Sequence, residues 1–171
     1  MTSIKEYFKE EDLFNNLSNL NMNETLICNI MKQIFSSISY LHSKQVLHGD
    51  TKFENILIDA IKENYVDIKI TDFGCSKIFH SKRICRKVIG TTYYLAPEMI
   101  LCQYNEKCDI WTAGVILFIL FTENVPFNGI TEIELIDKIK VHTKLSYDLL
   151  EFDNVSNVVI SLLKSLLNFI L

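Results

Sequence analysis

Apolar residues return along residues 23–41 at the spacing of an α-helix, with Leu26, Ile30, Ile34 and Ile38 on one row and Ile27, Met31 and Leu41 beside it. So broad a stripe predicts a long amphipathic helix with one face in a core. Asn21 and Glu24 offer its start a capping-box pattern. Beyond Ser43 the period shortens to two: residues 56–58 are an apolar run, and Val66, Ile68 and Ile70 alternate with Asp67 and Lys69, as small strands do. Residues 75–95 mix charge, Gly90 and hydroxyls without a period. They predict a long surface segment, and such segments in compact domains are usually functional. Helical patterning resumes over 109–122, apolar almost all round and therefore expected to be buried on every side. Thr131 and Glu134 box the start of another helix, and 155–171 supplies one more. The expected fold is α+β, mainly α, with a few short strands.

Composition narrows the class. Of 171 residues, 49% are hydrophobic and 22% charged, a balance that excludes disorder and fits one globular domain. A net charge of −4 provides no basic surface for a phosphate backbone, so no nucleic-acid partner is expected. Five cysteines, none two residues from another, indicate neither a disulfide framework nor a zinc site and fit a reducing compartment. The start of the chain lacks a secretory pattern, so a cytoplasmic location is expected. The nearly apolar stretch 110–121 falls short of the roughly 20 residues a membrane span needs, so no membrane partner is expected either.

The segment His48-Gly49-Asp50-Thr51-Lys52-Phe53-Glu54-Asn55 sets a carboxylate, an ammonium and a carboxamide on one tight loop before a strand. Phosphoryl transfer needs each of them: a proton acceptor that orients the attacking hydroxyl (Asp50), a positive charge for the γ-phosphate (Lys52), and a hard oxygen for Mg²⁺ (Asn55). Asp72-Phe73-Gly74 follows the alternating strand and adds a second carboxylate, an apolar anchor and a glycine that lets the backbone turn. Gly90-Thr91-Thr92-Tyr93-Tyr94-Leu95-Ala96-Pro97-Glu98 and Asp109-Ile110-Trp111-Thr112-Ala113-Gly114 come next.

These four motifs, in this order and spacing, resemble the C-terminal lobe of a eukaryotic serine/threonine protein kinase. The resemblance runs from a helix after the hinge (7–19) to a penultimate helix beginning near 155, over a partial kinase domain spanning 1–171. Residues 89–98, with Lys107-Cys108-Asp109-Ile110-Trp111 and Gly114-Val115-Ile116-Leu117, are similar to the calcium-dependent and calmodulin-dependent group. The resemblance implies a catalytic loop at 48–55, a metal-binding turn at 72–74 and an activation segment at 72–98. It makes Asp50 the catalytic base, Lys52 the phosphate contact, Asn55 and Asp72 the Mg²⁺ ligands, and Thr91 a brace for the loop. ATP and Mg²⁺ are the implied cofactors, and a protein with a Ser or Thr acceptor is the implied substrate. Glu54 stands where related kinases meet a basic residue upstream of the acceptor, and Asp12 where an acidic residue bonds the ATP ribose. Asp109 is expected to fix backbone amides of the loop.

Departures accompany the match. Gly49 stands where most of the family has an arginine that pairs with an activation-segment phosphate, Thr51 replaces a common leucine, and Phe53 a common proline. Arg83 and Arg86 are the sole arginines, so a partner for Glu98 of the family's usual kind would come from them. No glycine-rich loop or lysine-bearing strand precedes the catalytic segment, and no loop of the Asp-x-Asp-x-Asp-Gly type occurs. Without the N-terminal lobe, residues 56–58 and Phe73 are expected to be exposed and transfer by this chain alone to be negligible. Two functions follow: a serine/threonine kinase present as an incomplete catalytic domain, or a noncatalytic, pseudokinase-like binding module.

Overall fold

The computed structural model describes residues 12–20, 22–62, 65–79, 90–141 and 155–167. Part of the helix expected over 7–19, together with Asn21, His80, Arg83, Cys85, Arg86, His142 and the final apolar residues, lies outside them. Among the described residues the fold is mainly helical, with two small antiparallel sheets. In chain order come α1 (Leu13–Asn16), a 3₁₀ turn (Leu17–Asn19), α2 (Glu24–Ser43), β1 (Val46–Leu47), β2 (Ile56–Lys62), β3 (Tyr65–Ile70), β4 (Lys77–Ile78), α3 (Pro97–Ile100), α4 (Cys108–Thr122), α5 (Glu132–Val141) and α6 (Asn157–Leu166).

The helix cap at the start of α2 is Asn23, whose side chain accepts the Leu26 amide at 2.9 Å. The expected stripe is buried: Leu26, Ile27, Ile30, Met31, Ile34 and Ile38 face the core. Helix α4 is buried on almost every side, as its pattern requires, and Trp111 stacks on Phe127 with ring centres 5.9 Å apart. Gly114 lets α6 approach it, because a Cβ there would lie 2.9 Å from that of Leu166. None of the described helices is long and apolar enough to cross a membrane.

Strands β2 and β3 pair from Ile56↔Ile70 to Lys62↔Tyr65, with Asp59 as an extra residue between the Ile58↔Ile68 and Ala60↔Asp67 pairs. Helix α2 covers the outer edge of β3 with amide side chains. Asn29 Oδ1 accepts the Val66 amide at 3.2 Å, while Gln33 donates to the Val66 carbonyl at 2.6 Å and accepts the Ile68 amide at 3.0 Å. An open edge would leave those groups unpaired. Exposure of 56–58 is corrected: Ile56 and Ile58 are buried, because the strand turns alternate side chains inward, whereas Phe73 is half-exposed. The β1–β4 pairing, Val46↔Ile78 and Leu47↔Lys77, was not expected; two residues are too few to show a period.

Candidate active site

The loop between β1 and β2 is held from beneath by α4. Asp109, in the first turn of that helix and 1% exposed, accepts the His48 amide on Oδ2 and the Gly49 amide on Oδ1, both at 2.9 Å. Its Oδ2 also lies 2.8 Å from Nε2 of His42 on α2. A buried carboxylate is tolerated when its lone pairs are engaged in this way. The ring of His48 joins two motifs: Nδ1 receives the Asp50 amide at 3.3 Å, which assigns the proton to Nε2, and Nε2 donates to the Thr71 carbonyl at 3.0 Å. The same ring meets Phe73 edge-on at 5.1 Å.

Asp50, Lys52 and Thr91 form one cluster although Thr91 is 41 residues from Asp50. Oδ1 of Asp50 accepts the Thr91 amide at 3.0 Å and its hydroxyl at 3.2 Å. Lys52 Nζ donates to Thr91 Oγ1 at 2.9 Å and stands 3.7 Å from Asp50 Oδ2. With Oδ1 engaged by Thr91, Oδ2 faces the Lys52 ammonium. The approach depends on Gly90, at φ 97°, where a Cβ would lie 2.8 Å from the Gly49 carbonyl.

Asn55 is buried in a 3₁₀ turn and donates Nδ2 to the Asp50 carbonyl at 2.8 Å, an orientation that leaves Oδ1 as its acceptor face. Its backbone carbonyl accepts both the amide (2.8 Å) and the hydroxyl (3.2 Å) of Thr71, so the residue before Asp72 is tied to the 48–55 loop. Asp72 occupies the left-handed region, φ 60° and ψ 74°, and Oδ1 accepts the Gly74 amide at 3.1 Å. For a non-glycine residue that backbone stores about 1–3 kcal/mol, a feature concentrated at functional sites. No three His, Cys, Asp or Glu residues cluster for a metal among the described residues. A carboxylate and one amide oxygen are a sparse, hard donor set, and a sparse set suits Mg²⁺, which keeps phosphate oxygens and water as its other ligands.

Burial first, and then the Glu54 carboxylate, push the Tyr94 phenol above its ordinary value, with Asp50 adding to the effect. Asp12, by contrast, has both oxygens engaged by Asn15, whose amide and Nδ2 lie 2.8 and 2.9 Å away; it caps α1.

The model of the protein kinase domain matches residues 1–170. The chain belongs to the protein kinase domain family. It is 41% identical over 140 residues to "Calcium-dependent protein kinase 4" of Plasmodium falciparum (isolate 3D7), covering 82% of this chain and 26% of that protein. With "Calcium-dependent protein kinase 5" of Plasmodium berghei (strain Anka) it shares 43% over 112 residues, 65% of this chain and 20% of the relative. With "Calcium-dependent protein kinase 6" of the same organism the identity is 45% over 109 residues, or 63% and 7%. This kinase chain thus spans about a quarter or less of the length of those relatives. Asp50, Lys52, Asn55 and Thr91 lie together and Asn55 is bonded to the residue before Asp72, while residues 80–89 lie outside the described residues. Nothing in the sequence pattern marks His42 as a partner of Asp109: 67 residues separate the two, and no local spacing links them.

Proposed function

We propose that the chain carries the phosphoryl-transfer centre of a serine/threonine protein kinase, moving the γ-phosphoryl group of ATP to a protein hydroxyl. The carrying observation is the Asp50–Thr91–Lys52 cluster, in which Asp50 bonds Thr91 through Oδ1 and faces the Lys52 ammonium through Oδ2 at 3.7 Å. In this reading Oδ2 of Asp50 orients the acceptor hydroxyl and takes its proton, and Lys52 neutralises charge on the transferred group. Thr91 braces both side chains. Oδ1 of Asn55 and the carboxylate of Asp72 would hold Mg²⁺. Bound Mg²⁺ supplies neutralisation of the phosphate oxygens. The catalytic loop is then 48–55, the metal-binding turn 72–74 and the activation segment 72–98, and a cytoplasmic site of action fits the cysteine usage.

Lys52 favours serine or threonine acceptors over tyrosine. The Glu54 carboxylate favours a basic residue upstream of the acceptor, and a peptide array showing no such preference would remove that detail. An apolar cleft of about 420 Å³ beside Phe53 and Tyr94 offers a polypeptide a surface to lie on.

Calorimetry with Mg²⁺-ATP and transfer of labelled phosphate to a basic peptide test the reading. Transfer that Asp50→Asn abolishes, with nucleotide binding that Asp72→Asn weakens, supports it. Nucleotide or peptide binding without transfer would instead favour a noncatalytic binding module.

A further inference from the structure

Thr91 belongs to a segment held from several sides. The following 3₁₀ turn, Thr92–Tyr94, closes through the Tyr94 amide on the Thr91 carbonyl (2.9 Å) and the Leu95 amide on the Thr92 carbonyl (3.2 Å). Asp50 holds it through Thr91, and α4 holds it through Thr112, whose hydroxyl donates to the Tyr94 carbonyl at 3.1 Å. A further hold comes from α5: the Thr92 hydroxyl donates to the Glu132 carboxylate at 2.7 Å, across 40 residues. The pair lies at an exposed position, where a bond to a carboxylate is a modest hold.

Glu132 is borne by a stiff support. Thr131 Oγ1 accepts the Glu134 amide at 3.2 Å, and Glu134 Oε2 accepts the Ile130 amide at 2.9 Å, so the first turn of α5 is capped from both directions. Leu135 and Ile139 bury the other face of the helix. The carboxylate therefore has a fixed origin, and its partner hydroxyl is one residue from the hydroxyl that bonds both Asp50 and Lys52.

We propose that Glu132 is a positioning residue for the transfer reaction: through Thr92 it keeps Thr91 in register with Asp50 and Lys52. This rests on the kinase reading above. Losing the brace lets the turn open more often, and the chemical step then begins from a less populated arrangement.

The test is amide hydrogen exchange at Tyr94 and Leu95 in the full chain, together with steady-state kinetics. Glu132→Ala should speed exchange there by about three- to tenfold and lower kcat by a similar factor, leaving KM for ATP unchanged. Glu132→Gln, which retains an oxygen acceptor, should restore most of the loss. Thr92→Val should reproduce Glu132→Ala, and the double variant should be no worse than either single one. Unchanged exchange in Glu132→Ala, or additive effects in the double variant, would overturn the proposal. A chain that transfers no phosphate yet loses protection in Glu132→Ala would overturn the positioning role together with the kinase reading, and show only that the bond holds the turn.

Discussion

Thr51 lies between Asp50 and Lys52, 1% exposed, with a hydroxyl that has no hydrogen-bond partner among the described residues. Related kinases commonly carry leucine there, so the surroundings favour an apolar group. Thr51→Val keeps the β-branched shape and replaces the hydroxyl with a methyl. Burying an unpaired hydroxyl costs about 1–3 kcal/mol, and its removal should recover roughly 1 kcal/mol of that. For a chain of this size, that raises Tm by about 2–4 °C. In urea the midpoint should rise with the slope unchanged, because no further surface is exposed on unfolding. Thr51→Ser is the control: it retains the hydroxyl, discards a methyl, and should lose about 1 kcal/mol. The order of stability is then valine, threonine, serine. A valine variant less stable than the parent would refute the reasoning, since it would mean that the hydroxyl is satisfied by a partner such as a buried water.

Two other perturbations address the fold around the site. Gln33→Leu removes the bonds to the Val66 carbonyl and the Ile68 amide and should cost about 2–3 kcal/mol in urea unfolding, with Gln33→Glu between it and the parent because an acceptor remains. Glu134 has its carboxyl held below the ordinary 4.5, first by the side-chain bond from Lys138 and then by the Ile130 amide. A depressed folded-state value contributes stability that is present above 4.5 and lost as pH falls through the depressed value. A carboxyl titration followed by NMR should place the Glu134 midpoint below 4.5, and Lys138→Met should move it upward; a midpoint indifferent to Lys138 would remove the assigned cause.

Sequence alone determined what is local. The α2 stripe, the all-round burial of α4 and the Thr131–Glu134 start of α5 are periodicities or caps written within a few turns of helix. The same holds for Asp50, Lys52 and Asn55, which share one loop within six residues, and for Asp72 on its turn. Their identities and order were sufficient to suggest phosphoryl transfer. Tertiary structure decided what each of these groups touches. Thr91 meets Asp50 across 41 residues, Glu132 meets Thr92 across 40, Asp109 reaches the His48 amide across 61, and Gln33 reaches Ile68 across 35. Such contacts have no period, because hydrogen bonds between distant segments depend on how helices and strands pack, and packing is set by the whole core. A side chain that seals a strand edge or braces a loop reads along the chain as another solvated polar residue, and only the fold gives it a partner.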